Sequence, residues 1–315
     1  MNIGLDIMGG DFAPDATIDG AIIALRELPG TDHIFLFGPE DVIRAKLKEK
    51  NADPGAFTIV NAPSVIGMSE KPLKAFTTKT DSSIAIGFRY LMEGTIDGFA
   101  SAGNSGAMVV GSMHSTQMIE GILRPCTTSV LPKENGGTTF LLDIGTNPDP
   151  KPEVMVQFGL LGACFAKYVY DMHDPRVGLL NIGEEEEKGN ILTQATFKLM
   201  ANSNHVNFIG NVEGRDILKD KADVIVCDGF TGNVLLKQLE AMYRLLKKRS
   251  LTDDFIERLN YENFGGTPIL GIKSTVIVGH GISNDNAIKN MILLTKNVFE
   301  SKLSSKIQGE LQKHS

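Results

Sequence analysis

The chain has 315 residues, 42% of them apolar and 22% charged, with a formal net charge of −7; this fits one large α/β domain or two small ones. The negative balance, the absence of Trp and an aromatic content of 7% argue against nucleic acid as the main partner, since there is no basic field and there are few stacking faces. Cys126, Cys164 and Cys227 lie far apart in apolar surroundings without metal-ligand spacing. Reduced, buried thiols in the cytosol are therefore expected, with no metal and no cofactor. No stretch approaches the ~18 apolar residues of a membrane span.

Short apolar runs alternate with helical periodicity along the chain. Residues 2–7 read as a buried strand ending in Met8-Gly9-Gly10-Asp11, and residues 15–28 as a helix with Ala16, Ile18, Ala21, Ile22 and Leu25 on one face. Strands at 33–37 and 57–61 flank an amphipathic helix at 40–50. A helix at 82–93 precedes a strand at 98–101, which runs into Ala102-Gly103-Asn104-Ser105-Gly106-Ala107 and a helix through Met118. Further on, strands at 129–131, 138–143, 176–180, 207–209, 222–227 and 276–278 are interleaved with helices at 154–170, 190–201, 232–246 and 284–303. The alternation predicts an α/β fold with three α/β/α layers around a mostly parallel sheet. It reads as a single domain over 1–315 with a helical excursion around 235–268. Segments 64–80 and 250–266 read as linkers, the first, rich in Lys, Pro and Thr, as a mobile loop.

Five strand ends carry Gly, Asn, Asp and Ser clusters, at 8–11, 102–106, 143–147, 181–183 and 228–233. Any βα turn favours those residues, but ligands of parallel sheets also sit at the carboxyl ends of strands. At 103–106, Gly103 and Gly106 admit a close ligand, Asn104 and Ser105 add side-chain donors, and the next helix offers unpaired N–H groups to a phosphate or oxyanion. This is neither a Walker A loop nor a Gly-x-Gly-x-x-Gly fingerprint. Asp228-Gly229-Phe230-Thr231-Gly232-Asn233 repeats the pattern, with Asn233 at or near a helix cap. Lys188 follows four glutamates, and the Asn181-Ile182-Gly183 turn should bring it to the same edge, where its ammonium could meet phosphate. His280, in Gly279-His280-Gly281, follows a strand; a single His there is more often structural. No nucleophilic triad and no metal set appear among the remaining residues.

The same clusters resemble the PlsX family of acyl-carrier-protein:phosphate acyltransferases. The resemblance rests on Asp6-Ile7-Met8-Gly9-Gly10-Asp11-Phe12-Ala13-Pro14, on Ser101–Ala107, on Asn181-Ile182-Gly183-Glu184 with Lys188-Gly189, on Asp228–Val234 with Lys237, and on Gly279-His280-Gly281, in order over roughly residues 3–295. Thr146 stands where the family usually has Ala. The resemblance implies a fold related to phosphotransacetylase and to the isocitrate/isopropylmalate dehydrogenases. It implies a homodimeric, cytoplasmic, peripheral membrane enzyme that moves a long-chain acyl group from acyl carrier protein to inorganic phosphate. The acyl phosphate would pass to a glycerol-3-phosphate acyltransferase. An acyl-coenzyme A donor and a non-catalytic scaffold for lipid synthesis are the alternatives.

Phosphate is already a nucleophile and a thiolate already leaves readily, so positioning and electrostatics are the chemistry required. Lys188 and Asn233 are the expected catalytic pair, the lysine on phosphate and the carboxamide on the thioester oxygen. Gly103, Asn104, Ser105, Gly106, Asn147, Asp228, Gly232, His280 and Arg124 make up the expected binding set. Asp6, Gly9, Gly10 and Asp11 form an orienting N-terminal motif. Arg244, Lys247, Lys248 and Arg249 are expected to dock the carrier protein or an anionic membrane, or simply to suit the helix C-terminus.

Overall fold

The structure, a computed structural model, describes residues 1–313. It begins with β1 (Asn2–Asp6), α1 (Asp15–Glu27), β2 (His33–Gly38), α2 (Glu40–Glu49), β3 (Thr58–Asn61), α3 (Pro72–Thr78), α4 (Ser83–Met92), β4 (Gly98–Ser101) and α5 (Ser105–Ser115). It continues through β5 (Cys126–Pro132), β6 (Thr138–Leu142), α6 (Pro152–Val169), β7 (Arg176–Asn181), α7 (Ile191–Ala201), β8 (Asn207–Glu213), β9 (Val224–Val226), α8 (Gly229–Lys248) and α9 (Asp254–Glu257). β10 (Thr267–Leu270), β11 (Thr275–Val278), α10 (Asp285–Glu300) and α11 (Leu303–Lys313) complete it. Where the sequence reads as one domain over 1–315, the contacts form two compact units: Met1–Met118 with Tyr261–Glu300, and Ile119–Asn260 with the described residues from Ser301 onward. The borders leave no mark in composition because both units are built from the same strand–helix repeat.

In the first unit the strand order is β3-β2-β1-β4-β11-β10, parallel except where β10 runs against β11. Helices cover both faces, since neighbouring strand residues point opposite ways. At Gly98 a Cβ would lie 2.6 Å from Thr295 of α10, while next to it the Phe99 ring fills the space that Gly87 of α4 leaves, 2.3 Å from where a Cβ would stand. Phe99 is fully buried among Phe37, Phe88 and Ile96, and its truncation to Ala should cost about 3–5 kcal/mol.

In the second unit the order is β5-β6-β9-β7-β8, with only β5 antiparallel to its neighbour. Gly162 of α6 lies against Val224 and Leu142, and on the other face Leu235, Leu236 and Leu239 of α8 cover Leu141 and Ile225. The α/β/α layering thus holds within each unit. The three thiols are free and buried; burial pushes Cys164 up to about 12. Among the described residues no helix is long and apolar enough to cross a membrane.

Several expectations need correction. Segment 64–80 is not a plain loop: it holds α3, and Lys79 fastens it by bonds to Glu70 (2.6 Å) and to the Val65 carbonyl (2.8 Å). Segment 250–266 is not a plain linker: it holds α9 and gives way at Thr267 to β10, whose Pro268 reads as a turn residue in the sequence. The expected last helix stops at Glu300, because Lys302 takes a left-handed conformation (φ 54°) before α11. No glycine advertises that break.

Candidate active site

Register decides which loops meet. In the first unit Leu5 pairs with Ala100 and Ser101 with Val278, so the loops after β1, β4 and β11 leave the sheet at one edge. Asp6 is buried at the end of β1; its carboxylate accepts from Ser101 Oγ (2.7 Å) and from the Met8 amide (3.0 Å). Burial raises its pKa, opposed by hydrogen bonds from Ser83, Ser101 and Met8. Ser101 Oγ in turn accepts from the Gly103 amide at 2.9 Å. A side chain at Gly9 would lie 2.7 Å from both Asp6 Oδ2 and the Gly103 nitrogen, and Gly10 has φ +105°, so only glycine lets this turn close. The Asp11 amide donates to the Gly281 carbonyl at 2.7 Å, which ties the first loop to the last. The His280 ring lies tilted against Tyr261, with centroids 5.1 Å apart, and the Tyr261 hydroxyl donates to the Ile282 carbonyl.

The 103–106 loop departs from expectation at two residues, Asn104 and Gly103. Asn104 caps α5 by accepting from the Ala107 amide (3.0 Å), and its Nδ2 points to the carbonyls of Gly67, Met68 and Glu70 at 3.0–3.3 Å. Its carboxamide is therefore a staple between loops and not a ligand donor. The Gly103 amide is engaged as well. What remains for an anion is the N-terminus of α5, with the amides of exposed Ser105 and of Gly106 in its first turn.

In the second unit Leu142 pairs with Val226 and Val226 with Leu179, which sets the loops after β6, β9 and β7 side by side. Asp143, fully buried, accepts from the Thr127 amide and hydroxyl, from the Asn147 amide (2.6 Å) and from Asn147 Nδ2 (3.0 Å). Asn147 Nδ2 also reaches the Pro125 carbonyl at 2.8 Å, so the expected binding role of its carboxamide gives way to a structural one. The Thr146 hydroxyl meets that of Thr127 at 3.0 Å and extends this network. The cap of α8 is Asp228, which accepts from the Thr231 amide (2.8 Å) and hydroxyl (2.7 Å), and not Asn233. Gly232 is pressed onto the Asp143 carbonyl, 2.0 Å from where a Cβ would be. Asn233 sits one turn inside the helix and gives one amide hydrogen to the Ile144 carbonyl (3.0 Å).

Lys188 is exposed, and no ion pair engages its ammonium among the described residues; Glu184 pairs instead with Lys221 at 2.6 Å. Its loop is held by side-chain amides of Asn181, Asn211 and Gln194. Asn211 lies in β8 beyond the end predicted for that strand, and no motif pointed to it. Arg124 is exposed just before the buried Pro125.

These geometries stand beside clear relatives. A family model described as "Fatty acid synthesis protein" matches residues 1–306. A phosphate acyltransferase of Syntrophomonas wolfei subsp. wolfei is 41% identical over 318 residues, covering 99% of this chain and 99% of that protein. The chain belongs to this family. The EutD phosphotransacetylase from Staphylococcus aureus shares the fold with a TM-score of 0.64 at 13% identity, covering 95% of this chain and 94% of that one. A 4-hydroxythreonine-4-phosphate dehydrogenase from Klebsiella pneumoniae does so with a TM-score of 0.54 at 13% identity, over 94% and 97%. At such identities the likeness concerns fold, and it agrees with the phosphotransacetylase- and dehydrogenase-related architecture.

Two further charged features stand out, one of them beginning in the loop after β7 and the other at the end of α8. Glu184, Glu213 and Asp216 bring carboxylate oxygens within 4.8 Å of one another. Lys219, Lys221 and Arg215 already pair with them, which accounts for the cluster without a metal. At the end of α8, Arg244 lies 3.7 Å from Glu240 and Lys247 lies 3.7 Å from Glu257, while Lys248 and Arg249 face solvent. The helix also exposes Phe230, Val234, Met242 and Leu245.

Proposed function

We propose that the chain is an acyltransferase that moves a long-chain acyl group from the thioester of acyl carrier protein to inorganic phosphate. The observation that carries this is its 41% identity, over 99% of both chains, with a phosphate acyltransferase; a lysine with no ion pair among the described residues and an anion-suited helix N-terminus support it. A phosphate oxygen attacks the thioester carbonyl carbon, the C–S bond breaks, and the carrier thiolate leaves and takes a proton from water. The products are acyl phosphate and free carrier protein. Lys188 holds phosphate by charge without lowering its nucleophilicity as a tight cage would. The amide hydrogen of Asn233 not used on Ile144 faces the oxyanion. Within the first unit the α5 N-terminus and His280 suit an anionic group, and within the second Arg124 is a further phosphate contact.

The α8 end docks the acidic carrier protein or an anionic membrane surface, and the working enzyme is a cytoplasmic homodimer in peripheral membrane contact. A glycerol-3-phosphate acyltransferase consumes the product. The test is phosphate-dependent release of carrier protein from palmitoyl carrier protein, with acyl phosphate trapped by hydroxylamine. Hydroxamate that appears only with phosphate is expected. Release without phosphate, or none with a folded protein, overturns the proposal. The phosphotransacetylase fold makes acyl-coenzyme A the second donor to assay.

A further inference from the structure

The loop 182–190 would not hold one shape unaided. It carries four successive glutamates, whose like charges repel, and nine residues of backbone whose ordering costs roughly 1–2 kcal/mol each. Within it the Lys188 amide donates to the Glu185 carbonyl at 3.2 Å, closing a turn with Lys188 at its last position. Both ends of that turn are gripped from the sheet. Asn211 Nδ2 donates to the Glu185 carbonyl at 2.8 Å. Asn181 Nδ2 donates to the Lys188 carbonyl and to Asn211 Oδ1, each at 3.1 Å, while Asn181 Oδ1 accepts from the Ile182 amide at 2.9 Å. Asn211 is 3% exposed and stands beside Leu179 in the β7–β8 register. It is thus far better fixed than the loop it holds. The stem of Lys188 then lies across Gly183, where a Cβ would be 2.8 Å from Lys188 Cγ.

We propose that Asn211 is a positioning residue that aims Lys188 at phosphate, by fixing the 185–188 turn through Asn181, with Gly183 as the shelf for the lysine stem. This rests on the role given to Lys188 above. Asn211 touches no substrate; it acts because misplacing a charge by about 1 Å costs on the order of 10²-fold in rate.

The test is a double-mutant cycle on phosphate-dependent acyl transfer, with kcat, KM for phosphate and the thermal midpoint measured for wild type, Asn211→Leu, Lys188→Ala and the double variant. Asn211→Leu should lower kcat/KM for phosphate about 10- to 100-fold in the wild-type background and by less than about twofold when Lys188 is already Ala. Equal losses in both backgrounds, or no loss in either, overturn the proposal and leave Asn211 a fold residue. Gly183→Ala, which crowds the lysine stem without touching Asn211, should give the same pattern and serves if Asn211→Leu does not fold. Near-normal turnover in Lys188→Ala alone is a different result: it removes the role of Lys188 itself, and this proposal with it.

Discussion

Asn233 and Asn147 carry the same side chain at neighbouring strand ends, and their hydrogen bonds separate their roles. Asn147 engages its carboxamide on Asp143 and Pro125, whereas the Asn233 carboxamide makes, among the described residues, a single bond, to Ile144. Asn233→Ala should therefore reduce turnover by about 10²–10³ while costing only about 1 kcal/mol of stability for the lost bond. Asn147→Ala should do the reverse. It strands part of the fully buried Asp143 carboxylate, so a lower melting midpoint is expected, with turnover per folded molecule changed less than in Asn233→Ala. Steady-state kinetics beside thermal melts check both, and equal turnover losses would refute the division. The sequence makes both asparagines stand out as polar residues in Gly-rich turns. It cannot show which one the fold claims, because that depends on carbonyls 22 and 89 residues away. Asn104 misleads for the same reason: its partners lie at 67–70, in a segment that reads as a loop.

At the scale of elements, the amino ends of β7 and β9 are joined by a charge network. Asp223 accepts from Lys133 Nζ (2.5 Å), Arg176 Nε (3.0 Å) and the Arg176 amide (2.9 Å). Burial works against its charge, but the hydrogen bonds from Arg176 and Lys133 prevail and hold its pKa at about 2. A folded pKa below the unfolded value stabilises the protein above the ordinary carboxylate range, and that stability is lost as pH falls through the folded pKa. Asp223→Asn should thus cost on the order of 2 kcal/mol at pH 7, and the gap from wild type should narrow below pH 4 and nearly close at pH 2. Denaturant titrations across that range test it; a gap unchanged down to pH 2 refutes the assignment. Such networks leave little trace in the sequence, which shows Lys133, Arg176 and Asp223 only as scattered charges. Strand–helix alternation was legible because the inner strands, such as β4, β5 and β9, are buried on both faces while the helices alternate buried and exposed positions. β10 and the α10–α11 break were not, because Pro268 and Lys302 act through pairing and backbone angle.

For the molecule as a whole, the net charge of −7 opposes approach of an acidic carrier protein, so the proposed binding would need a local exception. The end of α8 supplies one: Glu240 and Glu257 partly offset Arg244 and Lys247, leaving Lys248 and Arg249 as its most outward charges. If this end docks the carrier, added salt should raise KM for palmitoyl carrier protein, because exposed charges are screened over a Debye length of about 8–10 Å near physiological ionic strength. Changing Arg244, Lys247, Lys248 and Arg249 to Gln should raise that KM about tenfold at low salt and flatten its salt dependence, with KM for phosphate unaffected. The Lys248 and Arg249 pair alone should carry most of the effect, since among the described residues those two make no ion pair. If the quadruple variant keeps the wild-type salt slope but loses binding to anionic vesicles, the patch serves the membrane and the carrier docks elsewhere. If neither changes, the four charges merely complement the carboxyl end of a 20-residue helix.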